Sequence, residues 1–171
     1  MGCVTCDSLK NHIIEHEILG TTTSSVTNVE VDGGILWVYD DTRSKWLSAE
    51  RLIATAGRRG RTKNIYLRLI DGQASNLAGY RIPRDGTIVS ISAQTRGTET
   101  WVLRVRKNGL VTNVASLSVS AAAGAHDVTL DVDVDESDRI EMYADTTAFF
   151  GIKDPFVMVE IAWRNDTLPA P

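Results

Sequence analysis

The chain has 171 residues, 43% of them hydrophobic and 23% charged, with a formal net charge of −4. That profile fits one globular domain, or one domain with an appendage, and excludes a disordered chain. The acidic balance argues against a nucleic-acid-coating protein, and no apolar run is long enough to span a bilayer.

Taken from the N-terminus, "CVTCDSLKNHIIEHE" (3–17) holds both cysteines and two of the three histidines. Residues 8–19 are predicted as a short helix, with Asp7 or Ser8 as its cap and Gly20 as its stop. Leu9, Ile13 and Leu19 share one side, with His12 and His16 beside them. A helix this short is marginal alone and needs a partner surface or partner helices. The start has neither the basic residues nor the continuous apolar run of a signal peptide. This predicts a chain made and kept in a cytoplasm unless it leaves inside an assembly.

"TTTSSVTN" (21–28) reads as a linker, and everything after it carries strand signals: alternating Thr, Val and Ile with regular turn residues. "VTNVEV", "ILWVYD" and "KWLS" are separated by the turns "DGG" and "DDTRS". "ERLIATAG" (50–57) could form a helical turn but is read as extended. "NIYLRLI" precedes an Asp71-Gly72 turn, and "RIPRDG" is a turn with Pro83 early and Gly86 late. "TIVSISAQT" and "TWVLRVRK" alternate, with Trp101, Leu103 and Val105 on one face and Val102, Arg104 and Arg106 on the other. Asn108-Gly109 predicts a two-residue type I′ hairpin turn. "LVTNVASLSVS", "DVTLDVDVD", "RIEMYAD" and "FVMVEIAW" follow, and "RNDTLPAP" reads as a polar surface tail. Roughly nine or ten short strands with one helix predict an all-β protein: an antiparallel β-sandwich or jelly roll with a short N-terminal helix.

Four constellations bear on chemistry. Cys3, Cys6, His12 and His16 offer the thiolate and imidazole ligands that a structural zinc prefers. Cys-x-x-Cys aims two sulfurs at one point, and His-x-x-x-His on a helix puts two imidazoles on one face. The chain must reverse between Asp7 and Leu9 for His16 to reach the same ion. The plain alternatives are reduced thiols, a local redox pair, or histidines facing partner helices. A catalytic zinc is disfavoured, since four protein ligands leave no open position.

"GRRGRTK" (57–63) sets Arg58, Arg59, Arg61 and Lys63 in a glycine-containing loop. It reads either as a solvated loop or as an arm that contacts an acidic assembly partner. It lacks the interleaved aromatics of a single-strand groove. In "DVTLDVDVDESD", Asp131, Asp133 and Asp135 superficially suggest calcium. An EF-hand loop begun at Asp131 would need Gly and Glu where Glu136 and Met142 stand. Alternation predicts instead that Val128, Leu130, Val132 and Val134 face the core. The fourth constellation is a missing one: His126 has no nucleophile motif near it, and no phosphate-binding or dinucleotide fingerprint occurs, so the expectation is that the chain is not an enzyme.

The stretches "GYRIPRDGTIVSISAQT", "LRVRKNG", "TLDVDVDESDRIEMYAD" and "DPFVMVEIAWR" resemble trimeric TNF/C1q-like jelly-roll heads of tailed-bacteriophage virion proteins. "GILWVYDDTRSKWLS" is similar to phage fibre and decoration sequences. The resemblance implies a homotrimer on the virion: a capsid decoration (cement) protein or a head or tail fibre, with capsid or tail subunits as partners and no membrane. Residues 1–20 would be the attachment or trimerisation segment, stapled by zinc if the four ligands meet. Residues 21–82 would form an arm and the first strands, 83–164 the jelly-roll head, and 165–171 a tail. Two other readings stand beside this one. A receptor- or glycan-binding fibre tip predicts an exposed aromatic or polar pocket, with Phe149 or Phe150 in its loops. A small zinc-containing nucleic-acid-binding protein needs the Arg58–Lys63 loop and the Cys/His site on one surface.

Overall fold

The computed structural model describes residues 28–120 and 124–171. The predicted helix over 8–19 and the candidate zinc ligands Cys3, Cys6, His12 and His16 lie outside the described residues. The described residues are all-β, with antiparallel sheets, fourteen strands and no helix. They divide into two compact units: residues up to Ala49 together with Asn165–Pro171, and Glu50–Arg164.

In the smaller unit, β1 (Val29–Asp32) and β2 (Ile35–Asp40) pair through a turn at Gly33 and Gly34. Both glycines have positive φ, as the mirror-image hairpin turn requires. β2 then pairs with the start of β3 (Lys45–Gly57), in the register Tyr39↔Trp46. Asp40 closes the intervening turn by accepting hydrogen bonds from the Arg43 backbone and guanidinium. Trp37, Trp46 and Leu47 are buried. The C-terminal segment, predicted as a surface tail, is tied to this meander. The indole of Trp46 donates to the Pro169 carbonyl at 2.7 Å, and the Asn165 amide donates to Asp32 at 3.2 Å.

The chain enters the larger unit within β3. "ERLIATAG" is extended rather than a helical turn, and joins "KWLS" into one thirteen-residue strand. The first sheet of this unit runs β3-β14-β7-β10, where β7 is Gly86–Gln94, β10 is Ala125–Asp127 and β14 is Phe156–Arg164; β11 (Val132–Val134) also pairs with β7. The second runs β5-β12-β8-β9, formed by Ile65–Tyr66, Arg139–Asp145, Trp101–Lys107 and Asn113–Val119, with β6 (Tyr80–Arg81) also on β12. A short ribbon pairs β4 (Arg61–Thr62) with β13 (Ile152–Lys153).

Each sheet buries one face along most of its length, and Gly86–Val89, Ile140–Met142 and Ile161–Trp163 are buried on both faces. Ile88, Ile91, Val157 and Val159 are fully buried on the first, and Leu103, Val105, Ile140 and Met142 on the second. Trp101 and Trp163 are buried as the strand phase predicts. Ser75 is buried beneath β12, where its hydroxyl donates to the Met142 carbonyl and accepts from the Met142 N–H.

Two local expectations are corrected. Val128 is 60% exposed rather than in the core. The Asp127 carboxylate accepts hydrogen bonds from the Thr129 N–H and hydroxyl, which interrupts the strand between β10 and β11 and breaks the alternation. Asn108 and Gly109 do have the positive φ of a type I′ turn, but Arg106 pairs with Asn113, so the β8–β9 connection is longer than two residues. Asn108 is committed elsewhere: its amide donates to Asp138, and its side-chain oxygen accepts from the Arg139 N–H.

Candidate functional site

At one end of the larger unit three chain segments meet. β3 stops at Gly57, where an added Cβ would come 3.0 Å from the Pro155 carbonyl and 3.4 Å from the Phe156 ring. The absence of a side chain therefore lets the strand end close against the 154–156 segment. The Arg58 N–H donates to the Pro155 carbonyl at 3.0 Å, and the Asp154 N–H donates to the Gly60 carbonyl at 2.9 Å. Asp154 also accepts from the Gly60 N–H. These backbone bonds fix the Arg58–Gly60 turn from outside the turn itself.

The third segment is the turn after β7. The Thr95 hydroxyl and the Arg96 N–H both donate to the Lys153 carbonyl. Arg96 itself is held loosely, 3.5 Å from Asp154 and 76% exposed.

The four cations expected to act together divide. Arg61 is engaged: its guanidinium meets Glu99 at 2.8 Å, lies near the Phe150 and Gly151 carbonyls, and stands 5.8 Å from the Phe150 ring centre. The Glu99 carboxyl is held below its ordinary range, by its own backbone N–H and by Arg61, against the opposing effect of burial. Arg58 and Arg59 line a shallow depression of about 480 Å³ with Gly57, Arg96, Asp154 and Phe156. Among the described residues, neither of their guanidiniums has an ion-pair or hydrogen-bond partner. Lys63 is exposed after β4.

Beside this loop, Phe149 and Phe150 are 86% and 72% exposed and pack edge-to-face at 5.0 Å. Sequence reading marked these two rings and the Arg58–Lys63 loop separately. It missed Arg96, Asp154 and Phe156, which reach the same end from segments far away in the chain. Phe156 opens a strand whose alternation gave no sign that it borders the arginines.

A second cluster is occupied by its own groups. Arg106 lies 4.0 Å from the Tyr143 ring centre and 5.3 Å from that of Tyr66, and donates to the Tyr66 hydroxyl and to Asn113. The cation covers ring faces that a ligand would need for stacking.

Among the described residues, no group of three or more His, Cys, Asp or Glu side chains is placed to hold a metal ion. Of the acidic run, Asp133 accepts from the Thr87 hydroxyl and pairs with Arg164, which also lies 3.5 Å from Asp135. Comparison with protein families finds no family model that matches the chain, and comparison with curated proteins finds no significant match.

Proposed function

We propose that this protein is a non-enzymatic structural protein of a tailed-phage virion, a capsid decoration or fibre protein that acts as a homotrimer. In this reading the two sheets of the larger unit form a jelly-roll sandwich, and residues 1–20 attach it to capsid or tail subunits. Zinc held by Cys3, Cys6, His12 and His16 would clip that short segment. One observation carries the reading. A well-packed antiparallel unit leaves two adjacent phenylalanines exposed, at 86% and 72%, beside a loop in which Arg58 and Arg59 have no ion-pair or hydrogen-bond partner among the described residues. Large exposed rings on a packed unit mark a contact surface rather than a folding requirement. Supporting it are the resemblance of residues 34–48, 79–95, 103–109, 129–145 and 154–164 to virion proteins and a cationic loop suited to an acidic partner.

Native mass spectrometry of the purified chain, with and without chelator, tests the oligomer and the clip. Three copies of the 18.7 kDa chain are expected, with bound zinc lost to the chelator. A monomer overturns the trimer, and an unchanged metal-free mass overturns the clip. Immunogold labelling of density-purified particles, with an antibody to the chain, tests the virion assignment. Label confined to the soluble fraction overturns it.

A further inference from the structure

The depression beside Arg58 and Arg59 does not end at Phe156. Phe156 also lines a second one, of about 370 Å³, together with Ser92, Gln94, His126 and Met158. The two share Phe156, which is 40% exposed. One side thus offers three guanidiniums against a single carboxylate. The other offers a hydroxyl, an amide and an imidazole, and a partly exposed aromatic ring lines both.

We infer that this paired groove binds an acidic oligosaccharide, one sugar's carboxylate or sulfate meeting Arg58, Arg59 and Arg96 while the next lies on Phe156 toward Ser92, Gln94 and His126. The inference names an acidic saccharide as the partner of the contact surface proposed above and rests on that reading. Planar guanidiniums suit the two oxygens of a carboxylate or sulfate. The C–H face of a sugar fits a ring edge through dispersion contacts, and sugar hydroxyls match the short polar side chains beyond it. Each depression falls in the size range of small-ligand sites. Nucleic acid is the poorer fit. Its affinity comes from many phosphate contacts, and three cations on a chain of net charge −4 provide few of them.

Calorimetric titration of the full-length protein at low salt tests this. The probes are an alginate hexamer, a dextran sulfate fragment, neutral maltohexaose and single-stranded DNA. An acidic saccharide is expected to bind and maltohexaose not to bind; preference for alginate or for dextran sulfate reports which acid is read. The R59E/R96E pair, on exposed side chains, should weaken binding by at least about tenfold. R81E carries the charge change to β6 of the second sheet and should leave affinity within about twofold. F156A should weaken binding without altering the salt dependence. Circular dichroism of each variant checks that it is folded.

Absence of binding by either acidic saccharide overturns the inference. So does equal loss in R81E and R59E/R96E, or DNA binding as tight as that of the saccharide. Native mass spectrometry on the same samples separates the two levels. A trimer that binds no saccharide overturns the groove alone, and a monomer that binds one overturns the trimer alone.

Discussion

Glu141 is fully buried on β12, and its Oε1 accepts from Arg139 at 2.8 Å (Nε) and 2.7 Å (Nη2). Its Oε2 has no partner among the described residues. The arginine stem is given room by Gly79, where an added Cβ would fall 2.1 Å from the Arg139 Cγ. Replacing Arg139 by Ala leaves a buried carboxylate with neither oxygen paired. Breaking a buried ion pair costs about 3–5 kcal/mol. Arg139 is 34% exposed, so solvent already weakens the pair, and the expected cost is about 2–4 kcal/mol. Glu141→Met removes the buried charge and the unpaired oxygen together, and frees an arginine that can reach water. Its expected cost is about 1 kcal/mol or less. Urea unfolding followed by tryptophan fluorescence compares the two, with Trp101 and Trp163 reporting on the larger unit. The reasoning is refuted if R139A is no more destabilising than E141M.

The other expected outcomes test separate features. Asp138 is held below the ordinary 3.8: burial raises it, but Lys107, the Asp135 N–H and the Asn108 amide together outweigh burial. Its folded form therefore binds a proton less readily than the unfolded chain. The stability it contributes is complete above 3.8 and is lost as pH falls through the lower folded value, and Asp138→Asn should flatten that acid limb in pH-dependent melting. Ser75→Ala leaves the Met142 N–H without its buried acceptor and should cost about 1–3 kcal/mol by urea titration. Gly151→Ala places a Cβ 2.3 Å from the Thr62 carbonyl at a residue with φ of 70°, so it should lower the melting temperature and loosen the β4–β13 ribbon in hydrogen exchange.

Much of the β architecture is legible in the sequence, because one buried face per sheet forces period-two alternation. β8 is the clearest case: Trp101, Leu103 and Val105 are buried while Val102, Arg104 and Arg106 are half-buried. The same rule fails where a side chain competes with the ladder. Asp127 binds the backbone two residues on, and Val128 turns outward. At Asn108 the turn conformation is local and readable, but the longer connection follows from bonds to Asp138 and Arg139, some thirty residues away. The candidate site is legible only in pieces. Charge density marks Arg58–Lys63 and apolar residues in a turn mark Phe149-Phe150, but no local pattern announces that β13 and the turn after β7 bring Arg96, Asp154 and Phe156 beside them.

The division of labour among the arginines explains how such an end serves binding. Arg61 pairs with Glu99 and braces the loop, so its charge is largely spent within the protein. The Arg58–Gly60 turn is fixed through its backbone groups by Asp154 and Pro155, which leaves the Arg58 and Arg59 side chains without a partner among the described residues. Backbone anchoring thus supplies preorganisation without neutralising the groups that meet a ligand. On a chain of net charge −4, Arg58, Arg59 and Arg96 also place positive charge at one end of the larger unit. Positive charge placed there favours the approach of an anion to that end. The overall acidity that argues against nucleic-acid coating therefore sharpens the selectivity of a small cationic groove, because few charges suffice for one acidic group and too few are present for a phosphate backbone.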